Sequence, residues 1–233
     1  MTQRSAKRAI SCAAVSAALF LTATPAIAQT VDHAPVNLPA SAQMNQDKAG
    51  SESWTYVNPN ANFTTYRQVI VDPTTVYTGP DAQFGDISQD DRTKFAAIMT
   101  DELQSEIGAA FPAPSGPPTA DTLRLRVVLL GAKKTVGGVA TATRATPIGL
   151  GLNAFKSVIG KSGTMTGSLL FAVEGYNGKT GELLFTAVRR RTPDPLDIPA
   201  TFSTSDTVKA VAHDFAEAAV KKLQNMMGTS PAP

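Results

Sequence analysis

Apolar positions recur along this chain with two different periods, and each period marks a kind of element. Phe95, Ile98, Met99, Leu103, Ile107 and Ala110 return at steps of three and four, which predicts one amphipathic helix. Ser88 opens it, since its hydroxyl can accept from a free backbone amide and Asp91 three residues on completes a variant of the capping box. Asp90 and Asp91 also stand at the positive end of the helix dipole. Pro112, Pro114, Pro117 and Pro118 stop the helix by removing donors. A second stripe, Val208, Val211, Ala212, Phe215, Ala219, Leu223 and Met226, predicts a helix that starts after Thr204-Ser205 and runs to about Met227.

A period of two marks the strands. Leu123, Leu125, Val127 and Leu129 share one face of a strand over 123–130, with Arg124 and Arg126 on the other, before Val128 and Leu130. The change from polar to apolar along that second face predicts that one end of the strand is more exposed. Val69, Ile70 and Val71 form a short strand ended by Pro73, and Thr75 to Thr78 a second extended piece before the turn at Gly79-Pro80-Asp81. Residues 164–176 and 182–190 read as two strands joined through Asn177-Gly178-Lys179-Thr180-Gly181, an antiparallel hairpin. The order of elements predicts an α+β fold: a two-layer sandwich with a mainly antiparallel sheet and two amphipathic helices packed on it.

The two ends read differently. Arg4, Lys7 and Arg8, an apolar run from Ile10 to Leu21, then Pro25 and Ala26-Ile27-Ala28 have the layout of a cleavable export signal over residues 1–28. The apolar run is shorter than the about 20 residues a membrane-spanning helix needs. Cleavage after Ala28 would leave a periplasmic or secreted chain and remove Cys12, the one cysteine, so no disulfide is expected. Lipid anchoring at Cys12 is not expected, because that residue precedes almost all of the apolar run. Residues 29–62 are polar and aperiodic and read as a flexible leader, with Trp54 and Tyr56 as its exceptions. One domain follows over 63–227, and residues 228–233 read as a disordered tail.

With the elements in place, three runs resemble an exported bacterial family catalogued as domain of unknown function 3313. The first is Tyr66-Arg67-Gln68-Val69-Ile70-Val71-Asp72-Pro73 through Gly79-Pro80-Asp81-Ala82-Gln83-Phe84-Gly85-Asp86. The second is Thr122-Leu123-Arg124-Leu125-Arg126 with Gly131-Ala132-Lys133-Lys134, and the third Thr180-Gly181-Glu182-Leu183-Leu184 leading to Arg189-Arg190-Arg191. The resemblance covers most of residues 64–227 and implies an envelope protein. It implies no catalytic residues.

Composition narrows the chemistry further. Losing Arg4, Lys7 and Arg8 with the signal moves the formal charge from +2 to −1, which gives no electrostatic case for nucleic acid. Gly160-Lys161-Ser162 lacks the earlier glycine of a phosphate loop, since Phe155 stands there. No Gly-x-Ser-x-Gly elbow occurs; Gly163 to Gly167 has Met165 at its centre. His33 and His213 have no partner cysteine, so no zinc site is expected. Asp81, Asp86, Asp90 and Asp91 lack the spacing of a calcium loop and read as turn and cap residues. No cofactor, metal or catalytic residue is therefore expected.

Two segments remain as contact candidates. Pro147 to Gly160 is apolar and nearly uncharged, and as a helix it would align Leu152, Phe155 and Ile159. Arg189, Arg190 and Arg191 alternate faces at a strand end. The sequence thus predicts an exported, non-catalytic envelope protein, a binding or accessory module with Phe155, Ile159, Arg189 and Arg191 as contacts for an envelope protein or membrane surface. The alternatives are a periplasmic hydrolase using carboxylates, and a lipid-binding protein using residues 147–160.

Overall fold

The computed structural model describes residues 34–134, 167–193 and 203–228. The expected export segment with Cys12, His33, and the candidates Phe155 and Ile159 lie outside those residues. Among the described residues there are seven strands: β1 (Asn45–Gln46), β2 (Trp54–Val57), β3 (Gln68–Val71), β4 (Thr75–Val76), β5 (Thr122–Lys133), β6 (Ser168–Asn177) and β7 (Leu183–Arg191). Two α-helices accompany them among those residues, α1 (Gln89–Ala110) and α2 (Thr204–Met227). The fold is α+β, as the periodicities predict.

One sheet holds all the strands in the order β1-β2-β7-β6-β5-β3, with β4 also on β5. Pairing is antiparallel except that β3 and β4 both run parallel to β5. These two are one edge strand interrupted at Pro73, which cannot donate to a ladder. The α1 crossover is what allows parallel pairing here. Beyond β4, Gln83 bridges Gly131, and a Cβ at Gly131 would lie 2.5 Å from the Gln83 carbonyl oxygen. Only glycine permits that approach. The β5–β6 register shifts at Leu129/Gly131, so Ala132 joins the same face as Leu129.

Both helices begin with the same device. Ser88 accepts from the Asp91 amide at 3.1 Å and donates to the Asp91 carboxylate at 2.8 Å. Ser203 does likewise with Asp206, at 3.1 and 2.7 Å. The second helix starts at Thr204, two residues earlier than the sequence suggested, because Ser203 and Asp206 have the capping spacing. Gly228 closes α2 in the left-handed conformation, φ 67°.

The helices pack on each other and on one face of the sheet, called here the inner face. Phe95, Met99, Leu103 and Ile107 from α1, and Val208, Val211, Ala212 and Leu223 from α2, meet Leu123, Leu125, Val127 and Leu129 of β5. Leu169 and Phe171 of β6 join them. Each such buried side chain contributes about 1.5–3 kcal/mol. Ala216 and Met227, and not Met226, complete the buried stripe of α2.

Residues 34–62 correct the expectation of a flexible leader. Over its described part this segment supplies β1 and β2, and β2 pairs with β7 from Trp54↔Val188 to Val57↔Phe185. Its first residues cross the outer face of the sheet as a strap. Ala34, Leu38 and Trp54 are buried there with Tyr77, Val128, Leu130, Leu170, Ala172 and Val188. Burial of these few apolar groups supplies the ordering free energy that the polar composition lacks.

Candidate functional site

The outer face is divided along β5 and β6. Beneath the strap, Val128, Leu130, Leu170 and Ala172 are buried. Two residues earlier on β5 the same face carries Arg126 and then Arg124, whose side chains are 44% and 47% exposed. β6 places Glu174 opposite Arg126 and Tyr176 opposite Arg124. The alternation of a strand forces all four onto one surface.

A groove of about 620 Å³ opens at this boundary. Asn37, Leu38 and Pro39 of the strap form one wall; Asp72, Pro73, Thr75 and Tyr77 of the broken edge form another. Its floor is Arg124, Arg126, Val128 and Glu174.

The charged groups of the groove lie against one another. Arg124 donates through Nε to both oxygens of Asp72 at 2.8 Å. The Arg126 Nε lies 3.8 Å from the same carboxylate, and its guanidinium stands 5.2 Å from the centre of the Tyr176 ring. Tyr176 donates its hydroxyl to Glu174 at 2.6 Å. Glu174 is nearly inaccessible, and burial pushes its carboxyl above the ordinary value, against the opposing pull of Tyr176 and Arg126. Burial likewise pushes the Tyr176 hydroxyl up, with the adjacent Glu174 adding to it.

Tyr77 fastens the strap to the groove's edge. Its hydroxyl donates to Asp81 at 2.7 Å and accepts from the Asn37 amide at 3.1 Å. The other oxygen of Asp81 accepts from the Val36 amide at 3.0 Å. On the floor side, Thr186 donates to the Pro39 carbonyl at 3.4 Å. A Cβ at Gly79 would fall 2.1 Å from the Tyr77 ring, so glycine is needed for the ring to take this place.

The arginines singled out in the sequence go elsewhere. Arg189 is turned to the β2 edge, donating to the Trp54 carbonyl at 3.0 Å and to Thr55 at 2.9 Å, with Asp47 at 3.0 Å. Burial pushes its guanidinium down, while Asp47 opposes that. Arg190 is paired with Glu52 and bonded to Gln83 and Ser168. These two arginines tie β7 to the N-terminal segment. Arg191 is exposed and lines a separate hollow of about 150 Å³ with Thr192, Val211, Asp214, Phe215 and Ala218.

The aspartates take the turn and cap roles expected of them: Asp81 holds Tyr77 and the strap, Asp91 caps α1, and Asp86 pairs with Lys134 at 2.5 Å. His213 lies half-exposed on α2, 3.4 Å from Glu102 and 3.7 Å from Glu217. Among the described residues no group of three or more His, Cys, Asp or Glu is placed to hold a metal ion. No described helix is long and apolar enough to cross a membrane.

The chain belongs to the DUF3313 family, proteins of unknown function, whose pattern it matches over residues 37–219. No curated protein matches it by sequence. Among solved structures it is similar to a PelC dodecamer variant from Paraburkholderia phytofirmans, at 13% identity and TM-score 0.38, covering 74% of this chain and 97% of that one. A presumed lipoprotein from Caulobacter crescentus aligns at 13% identity and TM-score 0.31, covering 73% and 96%. A DUF4136 protein from Bacteroides thetaiotaomicron aligns at 15% identity and TM-score 0.30, covering 76% and 95%.

Proposed function

We propose that this member of the family is an exported cell-envelope protein that binds and does not catalyse, with the outer-face groove as its ligand site. The observation that carries the reading is the groove itself: a concave surface between strap and sheet that keeps two half-exposed arginines at its floor. Export rests on the basic head, apolar run and Ala26-Ile27-Ala28 of the first 28 residues.

Binding is favoured over hydrolysis by the way the acids are used. Asp72 is held by Arg124, and Glu174 accepts from Tyr176, so each lining carboxyl already serves another groove residue. The Asp72 side chain is only 14% exposed and Glu174 only 2%, so neither carboxyl is presented to a scissile bond in the groove. Of the contact candidates Phe155, Ile159, Arg189 and Arg191, Arg189 is bonded to the Trp54 carbonyl and paired with Asp47, so this reading rests on Arg124 and Arg126 instead.

Fractionation and N-terminal sequencing test the address. The protein should be recovered from the envelope beginning at Gln29; recovery from the cytosol with Met1 retained would sink it. A photo-reactive residue at Thr75, which lines the groove, tests the site. It should cross-link to an envelope component in intact cells, and the same residue at the exposed Lys94 of α1 should not. Equal labelling from both positions would remove the groove from the reading.

A further inference from the structure

We infer that the groove takes a small organic anion, its carboxylate or phosphate oxygens held by Arg124 and Arg126 and its body laid against Leu38, Pro39 and Val128. This rests on the reading of the groove as a ligand site, and adds the chemistry of what enters it.

The first support is an excess of donors. A guanidinium carries five N–H groups, and one Asp72 carboxylate cannot absorb those of two arginines. Arg124 spends its Nε on Asp72, and Arg126 approaches that carboxylate only at 3.8 Å. Among the described residues, the terminal nitrogens of neither arginine have a hydrogen-bond acceptor. Both side chains are nearly half exposed, so these donors face the groove's solvent and not a packed interior.

The second support is that the donors are held in place. Asp72 fixes Arg124 through two bonds, and the Tyr176 ring lies against the Arg126 guanidinium. Positions 124 and 126 share one face of β5, about 7 Å apart along a strand. Arginines already restrained lose less entropy when they grip an oxyanion.

The third support is which charges reach solvent. The two guanidiniums are nearly half exposed, whereas the Asp72 side chain is 14% exposed and Glu174 is buried. The groove therefore presents cationic groups at its floor within a chain of near-zero net charge. Its remaining lining, Leu38, Pro39, Pro73 and Val128, offers apolar surface to whatever carries the acid.

Calorimetric titration of the purified full-length chain distinguishes the cases, with octyl phosphate, octyl glucoside, inorganic phosphate and glucuronate as probes. Octyl phosphate should bind and octyl glucoside should not compete with it. R126A should weaken octyl phosphate about tenfold or more, R126K should recover part of that, and added salt should weaken the wild type. Inorganic phosphate bound more tightly than glucuronate would assign a phosphate source, and the reverse a carboxylate one. T75W, which fills the groove from an exposed position, should block binding; melting curves confirm that each variant is folded.

Octyl glucoside binding as tightly as octyl phosphate, unaffected by R126A but blocked by T75W, would overturn the anion and leave the groove. Anions that bind regardless of both substitutions would overturn groove and anion together. Failure of every charged probe to bind would overturn the anion.

Discussion

The two faces of the sheet are built from the same strands and meet opposite demands. The inner face is apolar along its length, with Leu123, Leu125, Val127 and Leu129 sealed under two helices. The outer face is apolar for only half its length and is covered by a thin strap whose buried anchors there include Ala34 and Leu38. Past the strap it turns to Arg124, Arg126, Glu174 and Tyr176. Core and groove are separated by one residue step along β5. Odd positions from 123 to 129 build the core, and even ones line the groove.

Truncation on each face is the strongest test of that separation. L103A, in the sealed layer, should cost about 2–5 kcal/mol in denaturant unfolding. V128A, under the strap, should cost about 1.5 kcal/mol, the transfer value of two methyl groups, because the strap can settle into the space. Equal losses would erase the distinction between the faces.

A smaller effect isolates the strap. Y77F removes the hydroxyl that accepts from the Asn37 amide and donates to Asp81. Global stability should fall by about 1 kcal/mol, and hydrogen exchange at Asn37 should speed up while the α1 amides are unchanged. Acceleration of α1 to the same degree would mean that strap and core open as one unit.

The smallest effect concerns charge. Burial raises Glu174 above its ordinary value. Its contribution to stability is complete below the ordinary carboxyl value and is lost as pH rises through the raised one. E174Q stays neutral, so between acidic and neutral pH its melting temperature should lose less than that of the wild type. A larger loss in the variant would mean that Glu174 is better accommodated ionised than neutral.

Much of this was legible in the chain. Both helices announce themselves through their stripes, and the change from Arg124 and Arg126 to Val128 and Leu130 marks where the outer face passes from open to covered. The strap was not legible, because its anchors are few and lie among polar residues. Strands of two and four residues, β1 and β2, are too short to display a period. Trp54 and Tyr56 were the available signal, and Trp54 is the buried member of the pair. Glu174 reads in sequence as an ordinary solvent-facing residue of an alternating strand. What makes it unusual is its burial, which Tyr176 and Arg126 oppose and which only the assembled sheet determines. The partners of Arg189 and Arg190 were hidden for the converse reason: Asp47 and Glu52 lie more than a hundred positions earlier.

The pairing of β2 with β7 joins Trp54 to Val188 across most of the polypeptide. During synthesis, β2 therefore leaves the ribosome long before the strand that completes its hydrogen bonds has been made. The β6–β7 hairpin can close across its short connection at 178–182, whereas this edge must wait, with an aromatic side chain uncovered in the meantime. Until then Trp54 has no sheet to cover it, and the edge made first is completed by the last strand to be made.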